Sequence, residues 1–411
     1  MNDNPLVLGI DLGTSGLRIA VINHQSKMLY TSSMKYSKGI EEWEDWLESC
    51  KELIKHLPKD LKAKLVSCSI AGTSGTLLAC KNNGEPIGKA LPYFLSCPEY
   101  SDEISNLVTQ ENVASSTSSS IGRALKLIAL YGNKIILRHQ ADWLSGWFLN
   151  NWDFGEEGNN LRMGWEISSK SWPKKFNNLT WFNSLPKILS SGQIMGNISI
   201  KKAIELDLPK NLKIIAGTTD SNAGVLAAYS SKNDGITILG STIVIKKFHN
   251  RPLKYKGITN HRLLDNWLCG GASNAGGSVL LDFFDIKYIK ELSKQINPLK
   301  SSGLNLLPLA KQGERFPIDD PNLLPRLNPR PTSDVLYLHA ILEGLARIEA
   351  KGWQKLNELG VNPPKRIITI GGGSKNITWK KIREKEIGIP IKTCNRPPAA
   401  GVACIALKAI L

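Results

Sequence analysis

The sequence of 411 residues lacks the features that mark several classes of protein. It has no unbroken run of the roughly 18 apolar residues that a membrane helix needs. Its seven cysteines are odd in number and form no Cys-x-x-Cys pair, which argues against a disulfide framework and a zinc site. No basic region precedes the first apolar run, so we expect no signal peptide. These absences favour a protein of the reducing cytoplasm with no membrane partner.

Long basic blocks are also missing, although 52 Lys+Arg against 36 Asp+Glu give a formal net charge of +16. The basic residues are mostly lysines spread along the chain, and the densest groups are pairs such as Lys174-Lys175 and Lys380-Lys381. Segments that bind nucleic acids typically hold about five to eight basic residues together. We therefore interpret the charge as surface composition with no nucleic-acid partner, and charge-driven nucleic-acid binding is the weaker alternative.

Strand and helix patterns alternate along the chain, which predicts an α/β fold. A Gly-Thr-Ser-Gly turn at 13–16 joins two apolar runs, and this arrangement predicts a β-hairpin. A similar turn, Gly240-Ser241-Thr242, joins two apolar runs near the middle of the chain, so the architecture is expected to be duplicated. Apolar periodicity predicts helices over 40–57, 121–131, 141–149 and 333–359, and the polar segment 155–171 is expected to be a loop.

A third glycine-rich turn, at 371–374, follows a predicted strand at 367–370. Ligands of α/β proteins bind outside strand ends, where unpaired backbone N–H groups favour anions. The sequence contains neither GxxxxGK[ST] nor a GxGxxG after its first strand, so it has no P-loop and no dinucleotide fingerprint. Three such turns in order favour binding of a nucleotide phosphate chain over plain tight turns.

Two aspartates follow predicted strands close to these turns. A carboxylate at Asp11 would repel phosphate unless a cation intervened, so we expect Mg²⁺ there; a turn-capping role is the alternative. Asp220 follows a short strand at 214–216 and is placed to accept a proton from a substrate hydroxyl. A helix N-cap role for Asp220 is equally compatible with its position.

Five segments in this order resemble the FGGY carbohydrate kinases of the actin-like ATPase superfamily: GIDLGTSGLRIAVI, AGTTDSNAGVLAA, TILGSTIVIK, GGASNAGGSVLLDFF and IGGGSKNITWKKI. The similarity extends through 139–166 and 333–359, so it spans nearly the whole chain. It implies two actin-like (ribonuclease H-like) domains with a nucleotide cleft between them. Residues 1–222 plus 397–411 would form the N-terminal, sugar-side domain, and residues 223–396 the C-terminal, nucleotide-side domain.

The resemblance also implies phosphorylation of a sugar or polyol with ATP and Mg²⁺. Asp220 matches the catalytic base, and Asp11 matches the acidic residue that holds Mg²⁺ through water beside the substrate. The residues that match the phosphate-binding loops are Gly13, Thr14, Ser15, Gly240, Ser241 and Thr242. Those that match the rest of the nucleotide site are Gly371, Gly372, Gly373, Asn376 and Trp379. The offset between the last two places both on one helix face, beside adenine.

Two departures narrow the resemblance. The chain is short for the family, and it has AGTSGT at 71–76 where many members carry a Gln- or His-containing sugar-binding sequence. Both features resemble the compact cyanobacterial and plant kinases described as xylulose-kinase-like. They imply D-ribulose as the substrate, converted to D-ribulose 5-phosphate, with D-xylulose or another sugar or polyol as the alternative. Ser74 would contact the sugar, or be an ordinary turn serine. A nucleotide-binding regulator without sugar transfer is the alternative of another class, and both a monomer and a homodimer are compatible.

Overall fold

The computed structural model of the protein describes residues 5–228, 231–263 and 265–411. The chain divides into two compact units. Unit 1 comprises Met1–Ala227, Arg262–Leu264 and Arg396–Leu411, and unit 2 comprises Ala228–His261 and Asp265–Asn395. The domain boundaries predicted after residues 222 and 396 fall near the limits of these units.

Strands and helices alternate through both units, which confirms the predicted α/β class. The strands are β1 (Leu6–Leu12), β2 (Gly16–Ile22), β3 (Met28–Lys35), β4 (Leu65–Gly72), β5 (Leu77–Cys80), β6 (Ile136–His139), β7 (Phe154–Glu156), β8 (Lys187–Leu189), β9 (Ile194–Asn197), β10 (Lys213–Thr219), β11 (Asp234–Leu239), β12 (Ile243–His249), β13 (Ile258–Leu263), β14 (Asn266–Ala272), β15 (Arg366–Ile370) and β16 (Ile391–Thr393). The helices are α1 (Trp43–Lys55), α2 (Lys59–Lys62), α3 (Ser101–Leu107), α4 (Ser120–Tyr131), α5 (Gln140–Leu149), α6 (Glu157–Asn160), α7 (Ile200–Leu206), α8 (Asp220–Ala228), α9 (Gly277–Leu281), α10 (Ile286–Gln295), α11 (Asp334–Glu358), α12 (Ile377–Ile387) and α13 (Pro398–Lys408).

Unit 1 is built on a six-stranded sheet in the order β3-β2-β1-β4-β10-β9. The predicted hairpin is confirmed, because β1 and β2 pair antiparallel around the glycine turn, with Leu12 opposite Leu17. Strand β4 runs parallel beside β1, and β10 runs parallel beside β4, so these three strands all end at the same edge of the sheet. A Cβ atom at Gly9 would lie only 1.9 Å from the carbonyl oxygen of Ala399. The glycine therefore lets α13 pack directly on β1.

The expected loop over 155–171 is wrong at its start. Strand β7 enters the segment and helix α6 follows it, with Glu156 as the N-cap. The Glu156 carboxylate accepts hydrogen bonds from the backbone N–H groups of Gly158 (2.8 Å) and Asn159 (2.9 Å). The polar residues in this segment form a buried, capped turn of helix, whereas their composition alone is typical of an exposed loop.

Unit 2 repeats this arrangement in a second six-stranded sheet, ordered β13-β14-β12-β11-β15-β16. Its predicted hairpin is also confirmed: β11 and β12 pair antiparallel, and β15 runs parallel to β11 as β4 does to β1. The long helix predicted over 333–359 is α11, which begins after Ser333, whose hydroxyl caps the Leu336 N–H. Within the described ranges, no helix is long and apolar enough to cross a membrane.

Candidate active site

Three sequence-predicted residues of unit 1 lie at one edge of its sheet. Asp11 is near the end of β1, Ser74 follows β4, and Asp220 follows β10. The register aligns these ends, because Asp11 pairs with Ala71 and Thr219 pairs with Gly72. The carboxyl edge of parallel strands is the usual ligand-binding edge of an open α/β sheet. The non-local pairing of β1, β4 and β10 therefore brings Asp11, Ser74 and Asp220 together.

Asp11 is a buried carboxylate with one side-chain hydrogen-bond partner among the residues that the structure describes. It is 1% exposed, and its Oδ2 atom accepts a hydrogen bond of 3.2 Å from Arg18, which lies directly opposite on β2. Its Oδ1 atom is buried without a hydrogen-bond partner among the described residues. Burial, and secondarily the charge of Asp220, raise the pKa of Asp11 to about 7, while Arg18 acts in the opposite direction.

Asp220 is the first residue of α8. Burial raises its pKa to about 6, against the hydrogen bond from the Ser221 backbone N–H (2.7 Å) and the charge of Arg18. The backbone N–H groups of Asp220 itself and of Ser74 also act to lower the pKa of this carboxyl group. A carboxylate with a pKa slightly below neutral is ionised at pH 7 and still has a useful proton affinity. Such a group is suited to general-base chemistry.

Ser74 lies in a tight turn beside Asp220. The Thr76 N–H donates to the Thr73 carbonyl at 3.4 Å, and Gly75 adopts a φ of +100° that favours glycine. The base of the turn is held by Gln140, whose Oε1 accepts from the Thr73 N–H (3.1 Å) and hydroxyl (2.8 Å). Within 73–76 only Ser74 is more than slightly exposed, so it is the residue that the turn presents to a ligand.

The predicted phosphate turn of unit 1 follows Asp11 directly. The Gly13 N–H donates to the Gly16 carbonyl at 3.0 Å, which closes the turn and leaves Thr14 and Ser15 exposed at its tip. The Thr14 hydroxyl also lies 3.4 Å from the Tyr93 hydroxyl. The two exposed hydroxyls and the Asp11 carboxylate thus stand at neighbouring positions of one hairpin.

The turn at 240–242 in unit 2 is braced by a second glycine segment. The Gly277 N–H donates to the Gly240 carbonyl (2.9 Å), and the Ser278 N–H donates to the Ser241 carbonyl (3.2 Å). A Cβ atom at Gly276 would lie 2.4 Å from the Ser241 carbonyl oxygen, so only glycine permits this contact. The sequence GGASNAGG marked this segment, but the sequence analysis assigned it no role.

The turn at 371–373 lies beside the 240–242 turn within unit 2, because β15 and β11 are adjacent parallel strands. A Cβ atom at Gly371 would be 2.5 Å from the Leu239 carbonyl oxygen. The structure therefore brings together the glycine residues predicted to bind the nucleotide in this half of the chain.

Asn376 and Trp379, which were predicted to share a helix face beside adenine, lie at the start of α12. Asn376 precedes α12 as its N-cap: its side chain accepts from the Trp379 N–H (2.9 Å) and donates to the Ser293 hydroxyl (2.9 Å). Trp379 is 2% exposed, and its ring lies 2.6 Å from where a Cβ of Gly373 would be. Trp379 thus supports the glycine turn from the core, and a contact of either residue with adenine stays a prediction.

Comparisons with known proteins agree with this architecture. No protein-family model matches the chain. The xylulose kinase of Lactococcus lactis is 24% identical over an alignment 422 residues long, gaps included, which covers 90% of this chain and 80% of that protein. The L-fuculokinase of Escherichia coli is 20% identical over an alignment 426 residues long, which covers 94% of this chain and 88% of that protein.

Solved structures share the fold. The xylulose kinase of Lactobacillus acidophilus superposes with a TM-score of 0.81 at 15% identity and covers 99% of this chain and 89% of its own. A glycerol kinase of Plasmodium falciparum, solved with ADP, gives a TM-score of 0.81 at 15% identity, with 99% and 90% covered. These similarities agree with the resemblance to the FGGY carbohydrate kinases. The chain has the two-domain α/β fold of these solved sugar kinases.

The surroundings of Asp11 fit a bound Mg²⁺ ion. The buried, unpartnered Oδ1 atom of Asp11 is an acceptor that a hydrated cation would satisfy. In the part of the chain that the structure describes, no group of three or more His, Cys, Asp and Glu side chains could enclose a metal. Mg²⁺ suits such a site, since it usually keeps several waters and takes its other ligands from substrate phosphates.

Two residues that contact the site, Arg18 and Gln140, were not predicted from the sequence. Arg18 is the cation nearest to the two carboxylates, and the predicted hairpin register could have identified it as the residue opposite Asp11. Gln140 reaches the Ser74 turn from 67 residues away in the chain. No local pattern reports a contact over that distance.

Proposed function

We propose that this protein is an FGGY carbohydrate kinase that transfers the terminal phosphoryl group of ATP to a hydroxyl of a ketopentose. D-ribulose is the first proposed substrate and D-xylulose the second. Several relatives are named xylulose kinase, which supports a ketopentose. The serine turn at 71–76 supports D-ribulose, because it stands where many members carry Gln or His. The two sugars differ only in the configuration of the C3 hydroxyl, so one contact can discriminate between them.

The observation that carries the proposal is the convergence of Asp220, Ser74 and Asp11 at one sheet edge. Asp220 would accept the proton of the attacking hydroxyl as its oxygen bonds to the terminal phosphorus and the bond to ADP breaks. A pKa of about 6 keeps this carboxylate ionised at neutral pH. The Ser74 hydroxyl, half-exposed beside Asp220, would hold a second hydroxyl of the sugar and so orient the attacking one.

Phosphate binding is assigned to backbone and hydroxyl groups. In unit 1 we assign it to Gly13, Thr14 and Ser15, and in unit 2 to Gly240, Ser241 and Thr242. Gly371, Gly372 and Gly373 would approach the nucleotide, and Asn376 and Trp379 keep the supporting positions described above. Mg²⁺, held by Asp11 through water, would supply positive charge to the phosphoryl oxygens when bound. Asp11 and Arg18 would then set the charge next to the reacting group, which is the main demand of phosphoryl transfer.

A coupled assay of ADP release over a panel of sugars tests this function. The panel contains D-ribulose, D-xylulose, L-fuculose, glycerol and D-gluconate, each with ATP and Mg²⁺, and Asp220→Asn is the inactive control. We expect the highest kcat/KM with D-ribulose and the next with D-xylulose. Slow ATP hydrolysis that no sugar stimulates would instead identify a nucleotide-binding regulator.

A further inference from the structure

The tip of the Ser74 turn is held by a buried arginine that the proposed function leaves without a role. Arg123 lies on α4 and is 0% exposed. Its described hydrogen bonds all go to backbone carbonyls and none to a carboxylate. The acceptors are the carbonyls of Gly75 (2.8 Å), Tyr93 (3.2 Å), Leu95 (2.5 Å) and Ser118 (3.2 Å). One guanidinium therefore joins three separate segments of the chain.

A buried cation is costly unless its donors are satisfied. Burial lowers the pKa of Arg123 to about 10, so the group remains charged at neutral pH. A planar guanidinium carries five N–H donors in a fixed fork, and this geometry lets one side chain bind several carbonyls at once. Met or Leu would fill a similar volume without the desolvation cost, but would leave those carbonyls unpaired.

The turn and the guanidinium are in direct contact. A Cβ atom at Gly75 would lie 2.7 Å from Arg123 Nη2, so the backbone at the tip rests on the arginine. The backbone N–H group of the preceding residue, Ser74, is near enough to the Asp220 carboxyl group to lower its pKa. The hydrogen bond to the Gly75 carbonyl therefore holds the Ser74–Gly75 peptide, which lies between the proposed sugar contact Ser74 and the proposed general base Asp220.

We propose that Arg123 is a positioning residue for phosphoryl transfer: it fixes the Ser74–Gly75 turn so that Ser74 contacts both Asp220 and a sugar hydroxyl. This inference rests on the proposed function, because it takes Asp220 as the base and Ser74 as the sugar contact. Without Arg123, the tip would lose its anchor while Gln140 still held the base of the turn. Ser74 would then occupy a range of positions, and the attacking hydroxyl would be less well oriented.

Arg138 offers a matched control in the same unit. It is also buried (3% exposed) and also donates to backbone carbonyls, those of Leu137 (2.6 Å), Ser184 (2.9 Å) and Trp152. None of these acceptors belongs to the Ser74 turn. Arg123→Met and Arg138→Met should therefore both lower the melting temperature, whereas only the first should change the handling of sugar.

The kinetic test compares Arg123→Met, Arg123→Lys and Arg138→Met in the ketopentose assay. We expect Arg123→Met to lower kcat/KM for the sugar about 10–100-fold, with a raised KM for the sugar as part of the loss. Arg123→Lys keeps the charge and some of the donors, so it should recover part of that loss. Arg138→Met should stay within about twofold of wild type. Equal kinetic losses in the two Met variants, or no loss in either, would overturn the proposal.

Hydrogen exchange followed by mass spectrometry separates this inference from the proposed function. Arg123→Met should speed exchange in peptides that cover 73–76 and 93–95, and Arg138→Met should leave those peptides at the wild-type rate. If wild type phosphorylates no sugar, the proposed function fails, but this comparison still decides whether Arg123 anchors the turn. Unchanged exchange in Arg123→Met would refute the anchor even if the enzyme is a ketopentose kinase.

Discussion

Asp220 raises the pKa of Asp11, and Arg18 is a cation that acts on both carboxyl groups. The arginine is hydrogen-bonded to the buried Asp11 at 3.2 Å and is itself partly exposed to solvent. Because the two acids interact, they should titrate as a pair with apparent pKa values near 6 and 7. This relationship gives the site a testable dependence on pH.

Activity should rise with pH through this range. A general base accepts a proton only when it is ionised, and the pKa of Asp220 is about 6. We therefore expect kcat/KM for the sugar to increase from pH 5 to about pH 7.5 with an apparent pKa near 6. Arg18→Gln removes the cation that lowers both pKa values, so its profile should move to higher pH, while Arg18→Lys should stay near wild type. A profile that is flat below pH 7 in wild type would contradict this assignment.

Removal of the general base Asp220 should lower kcat strongly and change the affinity for nucleotide little. Asp220→Ala leaves the glycine turns intact but removes the group that accepts the hydroxyl proton, so kcat should fall roughly 10²–10⁴-fold. Nucleotide binding, measured by calorimetry with ADP and Mg²⁺, should remain within about threefold of wild type. A variant that phosphorylates the sugar at nearly the wild-type rate would show that another group is the base.

The fold was largely predictable because its strongest features are local. A glycine turn between two apolar runs reports both ends of a hairpin within 20 residues, so β1–β2 and β11–β12 were correctly predicted. Segment 155–171 was predicted wrongly, because its fold depends on Glu156 capping a buried turn of helix. Polar composition does not distinguish a capped buried helix from an exposed loop.

The site was predictable only in part, for the same physical reason. Asp11 and Asp220 could be placed at strand ends, and parallel pairing then brought them together. The capping of α12 by Asn376 was not predicted, because the sequence pattern did not mark the residue at which this helix begins. Arg123 contacts Gly75 from 48 residues away, and such a contact has no trace in local sequence.

Ionisation of Asp11 should cost stability at neutral and alkaline pH. Its pKa is about 7 in the folded state and 3.8 in a model peptide, so the folded state binds the proton more tightly. The free energy of unfolding therefore falls as pH rises from about 4 to 7. Asp11→Asn removes this loss, and we expect it to raise the free energy of unfolding by about 1–3 kcal/mol at pH 8 without Mg²⁺. Urea unfolding at pH 4.5 and pH 8 measures the difference, which should nearly vanish at the lower pH.

Asp45 provides a control of opposite sign for that experiment. Burial acts to raise its pKa, but hydrogen bonds from the Lys38 N–H (2.6 Å), the Ser37 hydroxyl (2.8 Å) and the Gly39 N–H (3.0 Å) outweigh it, and the pKa is lowered. Ionised Asp45 stabilises the fold, so Asp45→Asn should lower the free energy of unfolding at pH 8. If Asp11→Asn also lowered the free energy of unfolding at pH 8, the proposed cost of ionising Asp11 would be refuted.

A buried ion pair supports the two glycine turns of unit 2. Arg383 of α12 donates to Glu349 of α11 through two hydrogen bonds of 2.5 and 2.8 Å. The Glu349 carboxylate also accepts from the Thr237 hydroxyl on β11 (2.6 Å), and Arg383 donates to the Thr369 hydroxyl on β15 (3.0 Å). The pair thus joins both packed helices to the strands that precede the 240–242 and 371–373 turns.

Replacing one member of this ion pair should lower the free energy of unfolding more than replacing both members. Arg383→Met leaves Glu349 buried and unpaired, so we expect a loss of about 3–5 kcal/mol in the free energy of unfolding. The double variant Arg383→Met/Glu349→Leu should recover much of that loss, because no uncompensated charge remains. Lys380→Met, which removes a surface pair with Glu384 on the same helix, should cost less than about 1 kcal/mol. Urea unfolding of these three variants, of the single variant Glu349→Leu and of wild type measures these differences. If the double variant lost as much free energy of unfolding as its two single variants together, the two residues would not be energetically coupled. The two turns would then be held by the apolar packing around Trp379.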